Sequence, residues 1–275
     1  MNVLDQDFVL SNGITIPKLG FGTWQIPNDQ VVNAVRLALK HGYRHIDTAS
    51  AYQNEEGVGH AIRESGIERN GIFITTKVPA ECKSYAEAKA IISQSLKNLN
   101  LGYIDLLLIH SPKPWSELFS GSNKTYFEEN AAVWKAMEEA YADGIVKAIG
   151  VSNFEIQDIE NINKRCTVTT MVNQIKYHIG YTQNDLVAFC QSNGILVEAY
   201  SPIATGKLLK NNDIAAIAKK YEKSLPQLCI RYVFQKGTLP LPKSTHEEYI
   251  IQDSQIDFEI SPSDMGYLDD LSDIT

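Results

Sequence analysis

The stretch at residues 42–59 reads GYRHIDTASAYQNEEGVG, and the rest of the chain can be interpreted from it. Its first residues predict a β-strand that ends at Asp47, with side chains alternating between the two faces at the period of two typical of a strand. Tyr52 follows five residues later, and Glu55 and Glu56 lie in the first turn of a predicted helix, where acidic residues are favourable. A carboxylate at a strand end followed by a phenol suggests a site that handles protons. A strand-end aspartate is more often a turn or cap residue, so the motif needs support from the other strands.

Composition limits the class of protein. With 275 residues, 44% of them hydrophobic, the chain can bury a large core. A net charge of −8 disfavours nucleic acid and acidic membranes as partners, and no apolar run reaches the roughly 20 residues of a membrane span. The four cysteines lack CxxC spacing, which argues for free thiols and against a metal site. Without a signal peptide, we expect a soluble, cytoplasmic, monomeric protein with one domain over residues 1–275.

Predicted strands and helices alternate along the chain after a hairpin at residues 8–16, whose turn contains Asn12-Gly13. Eight further strands are predicted at residues 18–22, 43–47, 72–76, 104–109, 146–151, 171–175, 195–199 and 239–241. Helices are predicted at residues 29–41, from 54 onward, and at 85–99, 130–143, 156–163, 184–192, 213–223, 225–235 and 264–273. This α/β alternation favours a closed (β/α)8 TIM barrel with an N-terminal β-hairpin cap. An open dinucleotide-binding sheet is less favoured, since neither GxG sequence has the third glycine that it requires.

One segment interrupts the alternation. Residues 111–129 contain two prolines, Trp115 and Gly121 and carry no clear pattern. Long loops of this kind in compact domains usually serve as lids or binding loops. We therefore expect this segment to lie over a binding site.

Polar or phenolic side chains lie at or just after the C-terminal ends of the predicted strands, where barrel enzymes build their sites: Asp47, Lys77, His110, Ser152, Asn153, Gln174, Tyr200 and Lys243. Any one of them has a simple explanation, because strand ends are wet and polar. The set is harder to explain in this way, since Asp47, Lys77 and His110 directly follow apolar strands.

These residues allow a specific chemistry. A free tyrosine has a pKa near 10, and the ammonium group of Lys77 is expected to lower the pKa of Tyr52. Asp47 is expected to pair with Lys77, and His110 to donate a hydrogen bond to a substrate carbonyl oxygen. A proton donor beside a polarised carbonyl suits hydride addition, and the hydride must come from a cofactor.

At this point the sequence resembles the aldo-keto reductase superfamily, and within it the bacterial 2,5-diketo-D-gluconate reductase-like branch. Residues 42–59, IDLLLIHSP at 104–112 and LPKS at 241–244 match three long motifs of that family in the correct order. The resemblance covers essentially the whole chain. It implies a hairpin-capped barrel that reduces aldehydes and ketones with NADPH, using the tetrad Asp47, Tyr52, Lys77 and His110 with Tyr52 as proton donor.

The resemblance also implies a set of cofactor-binding residues. They comprise Gly22, Thr23 and Asp47 at the rim, Ser152, Asn153 and Gln174 on the carboxamide, Tyr200 on the nicotinamide ring, Ser201, Pro202, Ile203, Thr205, Gly206 and Lys207 along the pyrophosphate, and Lys243, Ser244, Thr245 and His246 at the adenosine end. The last four precede a short helix, whose N-terminus is a natural phosphate site. Ser244 and Glu247 also have the spacing of a capping box, and both functions can hold at once.

The adenosine end departs from the family pattern. Tyr249 stands where the family usually has an arginine that grips the 2′-phosphate of NADPH, and Gln252 and Asp253 replace the usual glutamate and asparagine. This change should weaken the phosphate site, so NADH is possible. The remaining cations, Lys243 and His246, still favour NADP(H) over NAD(H).

The predicted substrate residues are Trp24, Ala51, His110, Ser111 and Trp115. Ser111 stands where relatives often carry tryptophan, which predicts a wider or more polar pocket. Trp115 either folds over the substrate or packs its own loop. The tail is short and offers little lid, which favours a broad substrate range for a small-molecule carbonyl substrate.

Two alternatives stay open from the sequence. The barrel could be an NAD(P)H-binding regulatory protein without turnover, although a pure binding protein has no need for the tetrad. Lys77 could instead act as a Schiff-base nucleophile in an aldolase, which requires a lysine that is uncharged near neutral pH. Pairing with Asp47 argues against the second alternative.

Overall fold

The computed structural model describes residues 2–118, 120 and 123–271. Its strands are β1 (Asp7–Val9), β2 (Thr15–Pro17), β3 (Gly20–Gly22), β4 (His45–Asp47), β5 (Phe73–Val78), β6 (Ile104–Ile109), β7 (Val146–Ser152), β8 (Val172–Lys176), β9 (Leu196–Tyr200) and β10 (Leu239–Leu241). Its helices are α1 (Asn28–Lys40), α2 (Glu55–Arg63), α3 (Tyr85–Leu99), α4 (Trp115–Leu118), α5 (Phe127–Ala142), α6 (Ile156–Arg165), α7 (Asn184–Ser192), α8 (Asn212–Lys220), α9 (Leu225–Gln235), α10 (Glu247–Ser254) and α11 (Pro262–Asp270).

Strands β3 to β10 form one parallel sheet in sequence order, and the sheet curls into a barrel surrounded by helices. The Gly22 N–H donates to the Pro242 carbonyl across 2.9 Å, which joins the first barrel strand to the segment after the last. Strands β1 and β2 pair antiparallel as a separate hairpin. The predicted (β/α)8 TIM barrel with its N-terminal hairpin is thereby confirmed.

Parallel register brings the strand ends to one rim. Asp47 lies beside Gly22 on one neighbouring strand and Thr75 on the other, and Ser152 lies beside Gln174. Because all eight strands run the same way, their polar C-terminal residues converge although they are far apart in sequence.

Gly20 shows how tightly the barrel interior is filled. A Cβ at this position would lie 2.4 Å from Leu241 Cδ2 and 2.6 Å from His45 Nδ1. Only glycine therefore lets the buried His45 imidazole point into the barrel, where the next layer of the core is polar.

Several predicted boundaries are wrong. The segment 111–129 is not a continuous loop, because it contains α4 and because α5 begins at Phe127; Phe119, Gly121 and Ser122 lie outside the described residues. A 3-10 helix, Ala204–Lys210, follows β9. The predicted helix at 264–273 is α11, and residues 272–275 lie outside the described part.

Within residues 2–118, 120 and 123–271, no helix combines the length and the apolar character needed to cross a membrane. The assignment of residues 1–275 to a single domain stays a prediction.

Candidate active site

The centre of the rim is a buried ion pair. Lys77 is fully buried, and its Nζ donates to both carboxylate oxygens of Asp47 at 2.7 Å and to the Thr48 carbonyl at 2.8 Å. Burial lowers the pKa of Lys77 and is the largest single influence on it, but the charge and hydrogen bond of Asp47 together with the Tyr52 and Glu198 groups outweigh burial, and the pKa lies above its ordinary value. Lys77 is therefore a permanent cation, which disfavours a Schiff-base role.

Tyr52 is held beside this pair by a short 3-10 helix, Ser50–Tyr52. The Ser50 hydroxyl donates to the Lys77 carbonyl at 2.8 Å, and the Tyr52 N–H donates to the Ala49 carbonyl at 2.9 Å. Lys77 Nζ consequently lies 5.1 Å from the centroid of the Tyr52 ring. The local turn thus places the phenol against the ammonium group.

The expected lowering of the Tyr52 pKa is wrong in net direction. Burial raises the pKa of Tyr52, and the charge and hydrogen bond of Lys77 only partly oppose it, while Asp47 adds to the increase. The phenol is therefore fully protonated near neutral pH. A protonated phenol suits the proton-donating direction, which is carbonyl reduction.

His110 also packs against Tyr52. The two ring centroids are 5.5 Å apart in an edge-to-face arrangement, and the imidazole is 7% exposed. Burial and the Lys77 charge lower the pKa of His110 to about 3, so the ring is neutral at physiological pH. A neutral imidazole has one N–H to donate, which is what orienting a carbonyl oxygen requires.

Asn54 fastens the loops around the tetrad, and the sequence analysis missed this function. It is fully buried, its Nδ2 donates to the carbonyls of Thr23 and Ile26, and its Oδ1 accepts from the Thr48 hydroxyl at 2.6 Å. The Thr23 hydroxyl in turn donates to the Asp47 carbonyl. A polar residue at a helix start, next to Tyr52, was the available signal, but a cap explains that position equally well.

Four of the predicted nicotinamide residues form one hydrogen-bonded group beside His110. The Ser152 hydroxyl donates to the Gln174 carbonyl at 2.8 Å, and Asn153 Nδ2 donates to the His110 carbonyl at 3.1 Å. The Tyr200 hydroxyl donates to Asn153 Oδ1 at 2.8 Å. Asn153 adopts φ +59°, a left-handed conformation that asparagine tolerates better than most residues.

Gln174 also contacts the tetrad directly. Its Nε2 donates to Asp47 Oδ2 at 2.8 Å and to Glu198 Oε2 at 2.7 Å. The sequence analysis missed Glu198, although it stands two residues before Tyr200 and so faces the same side of β9.

The predicted pyrophosphate segment turns sharply after β9. Ser201, Thr205 and Gly206 have φ values of +55°, +53° and +89°, and a 3-10 helix begins within the segment. Thr205 and Lys207 are exposed, Ile203 is partly buried and Pro202 is buried. The turn therefore takes the chain out of the strand direction and leaves Thr205 and Lys207 exposed.

The predicted capping box at the adenosine end is wrong. The Ser244 hydroxyl oxygen accepts from the His246 N–H at 3.0 Å, whereas Glu247 pairs with Lys40 at 2.8 Å and with His41 at 2.7 Å. Lys243, Thr245, His246 and Tyr249 are exposed around the N-terminus of α10. The segment is therefore accessible to an anion.

The substrate residues differ in placement. Trp115, on α4, lies edge-on to His110 with ring centroids 5.1 Å apart, while Trp24 is 46% exposed and Ala51 is exposed beside Tyr52. Ser111 is fully buried, and its hydroxyl oxygen accepts from the Lys113 N–H at 3.3 Å. Ser111 thus shapes the loop, and its buried hydroxyl does not make the pocket more polar; the other expectation, a wider pocket, stays a prediction.

Lys83 anchors that loop. Its Nζ donates to the Ser111 carbonyl at 3.2 Å and to Asn130 Oδ1 at 3.0 Å, so the segment leading to Trp115 is tied to α5. In the described part of the chain, no group of three or more histidine, cysteine, aspartate or glutamate side chains is placed to hold a metal ion.

Comparison with known proteins identifies the family. The profile of the "Aldo/keto reductase family" matches residues 18–273. The chain belongs to the aldo/keto reductase family. This reductase is 40% identical over 265 residues to the glyoxal reductase of Bacillus subtilis (strain 168), covering 96% of this chain and 91% of the relative.

Solved structures agree with this assignment. An aldo/keto reductase from Brucella melitensis superposes on this reductase with a TM-score of 0.89 at 39% identity, covering 99% of each chain. A Bombyx mori aldo-keto reductase in complex with NADP gives a TM-score of 0.87 at 34% identity, covering 98% of this chain and 94% of that one. The predicted reduction of carbonyl compounds with a nicotinamide cofactor is confirmed at the level of the family, and a purely regulatory protein is not favoured. Membership of the 2,5-diketo-D-gluconate reductase-like branch stays a prediction.

Proposed function

We propose that this reductase transfers hydride from NADPH to a broad range of small aldehydes and ketones, with Tyr52 as the proton donor. The observation that carries the proposal is the buried Asp47–Lys77 pair beside a protonated phenol and a neutral imidazole at one rim. Hydride addition leaves an alkoxide oxygen, which takes the Tyr52 proton. Lys77 stabilises the phenolate that remains, and Asp47 fixes Lys77 in place.

The remaining rim residues position the reactants. His110 donates its N–H to the substrate carbonyl oxygen and polarises the bond. Trp115 supplies an aromatic wall beside His110, together with Trp24 at the exposed edge. These rings would exclude water from the site, which would strengthen the hydrogen bonds from Tyr52 and His110 to the substrate carbonyl oxygen.

The nicotinamide cofactor supplies the hydride when bound, and the described residues fit it. Ser152, Asn153 and Gln174 offer amide and hydroxyl groups next to His110, and Tyr200 is joined to them by hydrogen bonding. Both side-chain N–H groups of Gln174 donate to carboxyl groups, so its amide oxygen would be the atom left to accept from the NH₂ of the carboxamide. Lys207 and the backbone of residues 201–206 would face the pyrophosphate.

NADP(H) is preferred over NAD(H) in our proposal, despite the loss of the family arginine. Lys243 and His246 flank the N-terminus of α10, where the helix dipole favours a phosphate. Lys40 pairs with Glu247 at the same place and offsets its negative charge. The glycerol 2-dehydrogenase (NADP(+)) of Saccharomyces cerevisiae, 37% identical over 282 residues, supports the choice.

Lys243→Ala is expected to weaken NADPH binding by about tenfold and to leave NADH binding unchanged, because one phosphate contact of about 1–2 kcal/mol is lost. Tyr249→Arg is expected to change affinity in the opposite direction by a similar factor, since guanidinium binds phosphate in a bidentate manner. Fluorescence titration of each variant with both cofactors measures the effect.

Matched controls are available for both changes. Lys219→Ala removes an exposed lysine from α8, and Tyr267→Arg places the same new charge on the exposed tyrosine of α11. Neither control should alter the ratio of the two affinities. A clear NADH preference in the wild type would contradict the choice of cofactor without affecting the assignment to the family.

A broad substrate range is expected because few side chains restrict the entrance, where Ala51 is small and exposed. Rates of NADPH oxidation with aromatic aldehydes, aliphatic aldehydes, dicarbonyl compounds and ketones would test this. We expect turnover with several classes, and activity confined to one compound would contradict the proposal. We further propose a cytoplasmic monomer without nucleic-acid partners, which sedimentation and localisation experiments can check.

A further inference from the structure

A second polar layer lies in the barrel, one step further from the rim than the tetrad. Glu198 and His45 are both fully buried, and each stands two residues before a rim residue on its own strand. His45 Nε2 lies 2.9 Å from the Thr75 hydroxyl and 3.9 Å from Glu198 Oε1. The chemistry proposed for the tetrad uses neither Glu198 nor His45, so this buried acid needs another explanation.

One amide nitrogen joins the two layers. Gln174 Nε2 has two hydrogens, of which one goes to Asp47 Oδ2 at 2.8 Å and the other to Glu198 Oε2 at 2.7 Å. Glu198 therefore helps to fix the rotation of the Gln174 side chain. Gln174 in turn holds the carboxylate that binds Lys77, so the contact extends from Glu198 to the centre of the site.

The charge of Glu198 matters because of what faces it. The ionisable groups around it are Asp47, Lys77 and His45. Burial raises the pKa of Glu198 to about 8, the Asp47 charge acts in the same direction, and Gln174 and Lys77 oppose it. His45 brings no compensating charge, since burial lowers its pKa to about 3. Glu198 is thus a neutral acid at pH 7, and its Oε1 has no hydrogen-bond partner among the residues that the structure describes.

We propose that Glu198 is a positioning residue of the reductase site, which as a neutral acid shares the Gln174 amide with Asp47 and which disrupts the site when it ionises. An ionised Glu198 repels the Asp47 carboxylate, because both carboxyl groups contact the same Gln174 nitrogen atom. The second anion also offsets the Lys77 charge that stabilises the Tyr52 phenolate, so proton donation slows. The inference rests on the function proposed above for the tetrad.

The first test is the pH dependence of kcat/KM for aldehyde reduction between about pH 6 and pH 9.5, the range spanning the ionisation. Wild-type activity should fall as Glu198 ionises, near pH 8. Glu198→Gln, which resembles the neutral acid, should retain activity within about threefold at pH 6.5 and should decline only at higher pH. Glu198→Leu should lose about tenfold or more at every pH, because a Gln174 N–H is left without an acceptor.

Glu55→Gln is the matched control. Glu55 is also buried, at 3% exposure, and accepts hydrogen bonds from Thr76 and Asn98 away from the tetrad. Its replacement should leave the shape of the pH profile as in the wild type, whatever happens to the overall rate.

The second test needs no turnover. Because the folded-state pKa of Glu198 is raised from 4.5 to about 8, its contribution to stability is complete below pH 4.5 and is lost as the pH rises through 8. Glu198→Gln has no such loss. From pH 5 to pH 8 the wild type should therefore lose stability relative to Glu198→Gln, and its Tm should fall relative to that of the variant. The corresponding change in the folding equilibrium constant is up to about tenfold per pH unit.

The outcomes separate cleanly. Superimposable pH profiles for Glu198→Gln and the wild type would overturn the inference, as would equal losses in Glu198→Gln and Glu198→Leu without a change of shape. A pH-independent Tm difference would overturn the neutral state on which it depends. Absence of wild-type turnover with either cofactor would instead overturn the proposed function and the role of Glu198 together, and the Tm series distinguishes that case because it is measured without substrate.

Discussion

Tyr52→Phe is expected to lower kcat for aldehyde reduction by about a thousandfold, within the 10²–10⁴ that a positioned proton donor contributes. Phenylalanine keeps the ring that lies 5.5 Å from His110 and removes only the hydroxyl. The alkoxide formed by hydride addition then has no protein group to supply its proton. Stopped-flow measurement of NADPH oxidation with an aromatic aldehyde gives the rate of this step.

The same variant should bind the cofactor with an affinity within about twofold of the wild type, because only a hydroxyl at the reacting centre has been removed. This makes the result specific to proton transfer. Tyr181→Phe, which removes the hydroxyl of an exposed tyrosine outside the tetrad, is the control and should retain full activity. If Tyr52→Phe kept more than a tenth of the wild-type kcat, another group would be the donor.

Lys77→Met is expected to abolish measurable reduction and to lower the free energy of unfolding by about 3–5 kcal/mol, the cost of leaving a buried charge without its partner. Three hydrogen bonds are lost at once, two to Asp47 and one to the Thr48 carbonyl. Asp47 is only 4% exposed, and within the described residues the Gln174 amide would be its one remaining side-chain donor. Urea unfolding at pH 7 measures the loss.

A double-mutant cycle shows whether the charge is responsible. Lys77→Met combined with Asp47→Asn removes both charges, so the double variant should be more stable than Lys77→Met alone, although equally inactive. Strict additivity of the two losses would mean that the residues do not interact, which would contradict the 2.7 Å contacts.

The arrangement of the site was predictable because one geometric rule produces it. Parallel strands place their last residues at one rim, so Asp47, Lys77 and His110 converge once eight alternating strands are recognised. The same convergence also brings together Glu198 and His45, which stand two residues before Tyr200 and Asp47 on their strands. Strand periodicity alone gives no reason to expect polar side chains in the interior, and for this reason the second layer was missed.

Other features depend on burial and on loop conformation, which local patterns do not contain. The direction of the Tyr52 pKa follows from a balance between desolvation and the Lys77 charge, and only the structure gives the first of these. The inward placement of Ser111, the helix at Trp115 and the partners of Glu247 depend on contacts with distant segments. Sequence spacing predicted a capping box between Ser244 and Glu247, but Glu247 instead binds Lys40 and His41, which follow each other at the end of α1.

The seam between the first and last barrel strands has a consequence for how the protein is made. The Gly22 N–H bonds to the Pro242 carbonyl, and the Tyr43 hydroxyl donates to the Ile250 carbonyl, 207 residues away in sequence. Such non-local contacts form late, because the chain between them must be closed into a loop before they are gained. A ribosome-bound chain therefore carries its complete tetrad long before it carries residues 243–246. In our proposal residues 243–246 bind the adenosine end of the cofactor, so this affinity would arise only after the last barrel strand has closed the sheet.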